Sequence, residues 1–300
     1  MSYTNFPSDF VSRVLQDDFL EGEKLLIALE KNVPISIRLN KLKKKELDFP
    51  LQIEIPWCND AFYLTERPQY TLDPLFHSGT YYPQEAGSMF LDTVLTELTL
   101  PEDIKILDLC AAPGGKSTLI ANSLRGNGLL VSNEVIQSRA KILKENLTKW
   151  GANNTLVTNN DPSDFQRVNN YFDVIVVDAP CSGEGMFRKD IDARNEWSNA
   201  NVELCTGRQR RIVMDVWDSL KNGGYLIYST CTFNSSENED NINWFLQELD
   251  AELIHIKSED LPRGRGKIGH YGLPSIVDTE GFFIAVIRKK GEPNPSKLTI

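Results

Sequence analysis

The sequence predicts an α/β fold: a doubly wound, mostly parallel sheet with an antiparallel edge strand, preceded by a small N-terminal α+β domain. From about residue 86 onward, strand-like apolar runs alternate with helical patterns. One of those runs, Val174-Ile-Val-Val177, is short, unbroken and apolar, as a central parallel strand requires. The last two strand candidates follow one another with no long helix between them, which turns one of them antiparallel at the edge.

The elements follow in order. Residues 6 to about 33 read as helices, with Phe10, Val14 and Leu15 and then Leu25, Leu26 and Leu29 at helical spacing, and Pro34 ends that run. Ile35 to Asn40 alternates as a short strand, followed by a lysine cluster at 41, 43, 44 and 45. Residues 50 to 85, rich in proline and aromatics, read as short strands and loops. A strand is expected at 104–109, a helix at 116–124 and a strand at 129–133. Ile136, Ala140, Leu143, Leu147 and Trp150 then form one helical face, which Gly151 ends. Strands at 155–158 and 173–178 precede a helix at 208–220 that turns Ile212, Val213, Val216, Trp217 and Leu220 inward. Gly223-Gly224 leads into a strand at 225–229, then a helix at 238–249 and strands at 252–256 and 282–287. The expected division is a small accessory domain at 1–85, a larger domain at 86–292 and a tail at 293–300.

Composition bounds the function. With 300 residues, 41% hydrophobic and 25% charged, the chain has material for a sizeable core. A net charge of −10 argues against a surface that coats nucleic acid throughout, and leaves local basic patches free to contact phosphate. Five cysteines, at 58, 110, 181, 205 and 231, lack the close spacing of a zinc half-site and are too few for a disulfide framework. Reduced thiols in a cytoplasmic protein are therefore expected, without a metal. The opening residues lack a basic region followed by an apolar stretch, so no signal peptide is expected, and no apolar run reaches the roughly 20 residues needed to cross a membrane.

The segment Leu107-Asp-Leu-Cys-Ala-Ala-Pro-Gly-Gly-Lys-Ser-Thr118 joins the first strand of the larger domain to its helix. Gly114 and Gly115 allow close approach of a ligand to backbone, and the helix N-terminus beyond them offers unpaired N–H groups. A phosphate loop would need glycine where Cys110 stands, and Gly-x-Gly-x-x-Gly is absent. Glu134 ends the next strand, where an acid commonly binds ribose hydroxyls; Asp161 follows the third and Asp178 ends the fourth. Acids at successive strand ends suit a nucleoside carrying a sulfonium and no phosphate.

Two cysteines then stand in polar turns after neighbouring strands: Cys181 in Asp178-Ala-Pro-Cys-Ser-Gly-Glu-Gly-Met-Phe-Arg-Lys-Asp190, and Cys231 in Tyr228-Ser-Thr-Cys-Thr-Phe-Asn-Ser-Ser-Glu-Asn-Glu239. Cys58 and Cys205 read as packing residues, and Cys110 also reads as packing although it lies in the cofactor turn. A thiolate has a use in methylation at cytosine C5. That carbon is a poor nucleophile, and adding sulfur to C6 converts the ring to an enamine whose C5 can attack a methyl group. Asp178 is placed to support the addition near N3, and Lys116 with the turn after 231 could lower the thiol pKa from about 8.5. Position alone leaves open which cysteine attacks.

These stretches, with SIRLNKLK at 36–43, YYPQEAGSM at 81–89, Trp197 and EGFFIAVIRK at 280–289, closely resemble the Sun/Fmu-type RNA 5-methylcytosine methyltransferases over nearly the whole chain, and within them the bacterial RsmF-type ribosomal RNA enzymes. The resemblance implies a Rossmann-like class I methyltransferase sheet and S-adenosyl-L-methionine as cofactor. It implies that Cys231 attacks C6 and that Cys181 assists proton removal and release. It implies that Cys110, Ala111, Ala112, Pro113, Gly114, Gly115, Lys116, Glu134, Arg139, Asp161 and Asp178 surround the cofactor, with Lys116 and Asp178 also facing the base. RsmF-type proteins usually continue into a further RNA-binding domain, so this chain is expected to be a fragment or a shorter relative.

The implied partner is RNA, foremost small-subunit ribosomal RNA or the subunit itself, bound by a monomer. Transfer RNA, or a non-catalytic role in ribosome assembly, is the alternative. An amino-methyltransferase would favour Asn/Asp-Pro-Pro-aromatic where this chain has Asp-Ala-Pro-Cys. Of the basic clusters, Arg188-Lys189 directly follows the cysteine turn and is the one expected to hold phosphate.

Overall fold

The structure, a computed structural model, describes residues 5–43 and 47–292. Lys44 and Lys45 of the expected lysine cluster and the expected tail at 293–300 lie outside the described residues.

The chain opens with helices α1 (Ser8–Gln16) and α2 (Gly22–Leu29). Phe10, Val14, Leu25, Leu26 and Leu29 are buried as the spacing predicts. Leu15 is 47% exposed, because one residue past Val14 is a step of about 100° around the helix. Strands β1 (Ile35–Leu39), β2 (Ala61–Leu64) and β3 (Tyr81–Pro83) pair antiparallel in the order β2-β1-β3. Two short helices, α3 (Pro74–His77) and α4 (Leu91–Glu97), complete this part.

A large mixed sheet follows. Its strands are β4 (Lys105–Asp108), β5 (Leu129–Asn133), β6 (Thr155–Thr158), β7 (Phe172–Asp178), β8 (Leu220–Thr230), β9 (Ala251–Ile254), β10 (His270–Gly272) and β11 (Phe282–Lys289). The order is β10-β11-β8-β7-β4-β5-β6, with β9 also on β11. The strands β6-β5-β4-β7-β8 are parallel, so Asp108, Asn133, Thr158, Asp178 and Thr230 end at one rim. Chain order runs outward from β4 to β5 and β6, then returns to β7 on the other side. The crevice at such a reversal is where doubly wound sheets bind ligands.

The expected antiparallel strand is β11, which runs against β8; it is not the edge, because β9 and β10 pair antiparallel with β11 beyond it. The three residues of β10 are too few to leave a period-2 signature. The helix expected at 208–220 is α8 (Asn199–Val216), whose mostly polar first half buries only Val202 and Cys205. Leu220, expected as its last inward residue, is buried as the first residue of β8, opposite Phe172. The remaining helices are α5 (Gly115–Leu124), α6 (Gln137–Trp150), α7 (Ile191–Glu196) and α9 (Glu239–Glu248). On α6 four of the five expected inward residues are buried; Ile136 sits at the cap in extended conformation and is 49% exposed.

The N-terminal segment touches both faces of the large sheet. Phe10, Val14, Leu25, Leu26 and Leu29 share one apolar cluster with Ile175, Leu226, Phe187 and Trp197. On the other face Arg38 of β1 is fully buried, donating to Gln84 Oε1 (3.1 Å), Gly115 O (3.1 Å) and Thr118 Oγ1 (2.6 Å) and lying 4.8 Å from the Trp150 ring centre. A buried guanidinium without a carboxylate is tolerable only when its N–H groups are met in this way. The expected division near residue 85 therefore crosses a shared core. Among the described residues no helix is long and apolar enough to cross a membrane.

Candidate active site

The turn after β4 reverses through Gly114, whose φ of +116° is open to glycine and strained for other residues. Gly115 then starts α5, and Ala111 N–H donates to Asn133 O at 2.8 Å, holding the turn against the end of β5. A cleft of about 330 Å³ opens here, within the range of about 300–1,000 Å³ usual for ligand sites. Cys110, Ala111, Ala112, Pro113, Gly115, Lys116, Asp178 and Cys231 line it. The YYPQEAGSM stretch adds Gln84, Glu85 and Ser88, and the EGFF stretch adds Glu280 and Phe282.

Glu134 stands at the end of β5 as expected and is buried. Its Oε1 accepts from Ile136 N–H at 3.0 Å. Its Oε2 accepts no hydrogen bond, although Arg139 Nη1 is 3.3 Å away. Arg139 also donates to Ala112 O at 2.8 Å, tying α6 to the turn. Asp161 is not a wall of the cleft: its Oδ1 caps the short helix that follows, accepting from Ser163 N–H (3.1 Å) and Oγ (2.8 Å), and its Oδ2 faces Arg211.

The structure brings Cys181 and Cys231 together, with Sγ atoms 3.2 Å apart and Cys231 N–H donating to Cys181 Sγ at 3.3 Å. The hydrogen bond with Cys231, followed by burial, holds the Cys181 thiol well above its ordinary pKa. Either thiol can donate across this contact. Burial likewise pushes the Cys110 thiol up. Lys116 Nζ lies 2.8 Å from Asp178 Oδ2, and Ser229 Oγ donates to Asp178 Oδ1 at 2.8 Å. Burial works against the Lys116 charge, but the pull of Asp178, their hydrogen bond and Asp108 outweigh it and leave the ammonium above its ordinary pKa.

What holds the two thiol turns in register escaped the sequence reading. Glu237 is buried beneath them and accepts from Ser182 N–H (2.9 Å), Ser182 Oγ (2.5 Å), Asn234 Nδ2 (2.6 Å) and Gln209 Nε2 (2.8 Å). Glu184, also buried, accepts from Phe233 N–H (3.0 Å), Trp197 Nε1 (3.1 Å) and Arg13 Nη2 (2.5 Å). Gly185 N–H donates to Cys231 O at 2.8 Å; a Cβ there would come within 2.8 Å of Gly281 O. The acids stand in the quoted motifs, but strand-end logic does not reach residues several places into a turn. They also correct the expectation that the turn after 231 is electropositive: α9 begins eight residues on, and two buried carboxylates stand nearer.

Arg188 is a second correction. Its guanidinium is spent on backbone, donating to Thr279 O and Asn32 O at 2.6 Å each, and Lys189 pairs with Glu280. Arg188 joins the end of the N-terminal helices to the loop before β11 and does not offer itself to phosphate.

Beneath the turn, Asp108 is fully buried, with Oδ2 accepting from Ser117 Oγ at 2.6 Å and Oδ1 unpartnered. Burial raises its pKa to about 7. An acid with a raised folded pKa binds its proton more tightly in the folded chain, so its contribution is favourable below the unfolded pKa near 3.9 and is lost as pH rises towards 7. Asp108→Asn is therefore expected to gain stability relative to wild type by about 2–4 kcal/mol between pH 5 and pH 8. Urea unfolding at the two pH values checks this, and an equal difference at both would contradict it.

Against known proteins, residues 95–288 match the family of 16S rRNA methyltransferase RsmB/F. The chain belongs to that family. Residues 6–86 match the N-terminal domain of 16S rRNA methyltransferase RsmF. Ribosomal RNA small subunit methyltransferase F of Pectobacterium atrosepticum is 34% identical over 97% of the chain, and that of Escherichia coli O81 34% over 95%. The chain spans 64% and 63% of the length of these relatives. Among solved structures, a methyltransferase homologue from Pyrococcus horikoshii superimposes with a TM-score of 0.79 at 30% identity, covering 95% of both chains. NSun6 from the same organism, solved with SFG, shares the fold with a TM-score of 0.83 at 21% identity, over 96% of this chain and 99% of its own. The α/β sheet with antiparallel strands at one edge is the fold of these methyltransferases.

Proposed function

We propose that the chain is an S-adenosyl-L-methionine-dependent methyltransferase acting on C5 of a cytosine in small-subunit ribosomal RNA, with Cys231 as nucleophile. The observation that carries this is the pair of thiols 3.2 Å apart, of which Cys231 lines the cleft together with Lys116, Asp178 and the glycine turn.

When bound, S-adenosyl-L-methionine supplies an electrophilic methyl group on a sulfonium. Residues 110–116 and Glu134 would hold it, with the unpartnered Oε2 of Glu134 free to accept from a hydroxyl. The acids around the cleft suit a cationic group. Asp161 contributes from outside the cleft wall, by fixing the helix that follows β6. Arg139 anchors the turn to α6.

On the chain's side, the Cys231 thiolate forms a bond to C6 and pushes electron density to C5. The Lys116–Asp178 pair faces the base; as sulfur adds to C6, the Lys116 ammonium passes a proton through Asp178 to N3, and N3 returns it when the C5–C6 double bond re-forms. C5 takes the methyl group. Bond formation at Cys231 removes the anion and the hydrogen bond that had raised the Cys181 pKa. Cys181 then releases its proton to water and takes the proton from C5. The electron pair left behind re-forms the C5–C6 double bond and expels Cys231 as thiolate.

The test is cytosine-conversion sequencing of ribosomal and transfer RNA from cells with and without the gene. One conversion-resistant cytosine in small-subunit RNA should disappear with the gene. Loss of a transfer RNA site would redirect the substrate, and no change at any cytosine would overturn the reading.

A further inference from the structure

The catalytic cleft does not end at the thiols. A second groove of about 460 Å³ continues from it, sharing the walls Pro83, Gln84, Glu85, Lys189 and Glu280. It runs along the start of β1 (Val33 to Ser36) to the loop after β2, where Arg67 and Tyr70 form its far wall. Arg67 is exposed and has no carboxylate partner among the described residues. Its guanidinium carbon lies 5.7 Å from the Tyr70 ring centre. Tyr70 is half-buried, braced by Phe76 and Tyr81 at 5.8 and 6.1 Å.

We propose that this groove seats the nucleotide next to the target cytosine, with Tyr70 and Arg67 as its stacking and phosphate-binding groups. The proposal rests on the RNA methyltransferase reading above and adds to it a second subsite. A base that enters a narrow cleft must leave its stack, so the neighbouring backbone has to run along the cleft's rim. The groove is continuous with that rim. Single-stranded RNA is held by aromatic faces and arginine planes beside cations that follow the phosphates. A rigid tyrosine with an unpaired arginine over it offers both, and the arginine can swing from ring to phosphate without breaking an ion pair. The two acids in the shared wall do not oppose this. Glu280 is already paired with Lys189, and Glu85 turns inward to accept from Gly87, Ser88 and Glu280 N–H, with burial raising its pKa. The N-terminal sheet therefore forms one bank of the substrate channel.

The experiment uses the full chain and a short RNA carrying 5-azacytidine at the target position, which traps Cys231 covalently. Wild-type protein should form the adduct. Arg67→Ala should weaken binding of the untrapped RNA about tenfold, and its plot of log affinity against log salt should flatten by about 0.7. Affinity for S-adenosyl-L-methionine should be retained. With 4-thiouridine placed beside the target, irradiation should crosslink that nucleotide to Tyr70 or its immediate neighbours. If wild-type protein traps RNA but Arg67→Ala binds as wild type with an unchanged salt slope, or the crosslinks map elsewhere, the subsite is wrong. If wild-type protein traps no RNA at all, the failure belongs to the reaction assigned above.

Discussion

Cys231→Ala should lose methyl transfer by about four orders of magnitude or more, and should form no covalent complex with RNA. Cys181→Ala should behave oppositely in one respect: attack and methylation still occur once, but the adduct persists because no base takes the C5 proton. A slowed band on a denaturing gel, present with Cys181→Ala and absent with Cys231→Ala, reads this directly. The 3.2 Å separation gives each thiol reach to the same ring, so that distance alone would permit either to attack. The asymmetry lies in the cleft wall, where Cys231 stands and Cys181 does not. Cys181 is held as a thiol by its neighbour and by burial. Reversal of the two gel results would exchange the roles.

The second large effect concerns a residue that touches neither base nor cofactor. Glu237→Ala removes the acceptor for four hydrogen bonds and strands the buried Ser182 N–H, while Asn234 Nδ2 keeps Thr232 Oγ1 and Gln209 Nε2 keeps Pro180 O. An unsatisfied buried donor costs about 1–3 kcal/mol, so a loss of about that size in unfolding free energy is expected. The same change frees the Cys181 turn from the Cys231 turn. A displacement of about 1 Å at a reacting group can cost about 100-fold in rate. The kcat of the folded fraction should fall by about that factor while RNA affinity holds. Glu237→Gln, which keeps one acceptor oxygen, should recover part of both losses. A stable, fully active Glu237→Ala protein would show that the thiols are positioned by something else.

The strands and helices of the sheet were legible where burial is one-sided and runs are long enough to show a period. Leu129–Asn133 and Thr155–Thr158 match the expected spans, and Val174 to Val177 lies in the middle of the sheet. Ile136 misled because an apolar residue at helical spacing was counted into the stripe, although a cap residue does not follow the helix's angular step. The first half of α8 was silent because its helicity comes from length and from capping by Ser198. At the candidate site, residues at strand ends were found because a parallel sheet delivers its carboxyl ends to one rim. Asp161 obeys that rule in position, yet its side chain answers to Ser163. Arg188 looked like a phosphate ligand from its place in the chain; only the fold reveals the carbonyls of Asn32 and Thr279 around it. Local sequence carries no record of partners 91 and 156 residues away.

The contact between Arg13 and Glu184 spans 171 residues of chain. During biosynthesis α1 and α2 emerge long before Phe187, Trp197 and Leu226, against which they finally pack. At about 5–20 residues per second that delay is on the order of 10–30 s. For that time two apolar helix faces stand without their counterpart, a natural target for a chaperone that shields nascent chains. An N-terminal truncation would therefore not trim a spare module; it would leave the opposite face, with Phe187, Trp197 and Leu226, permanently uncovered.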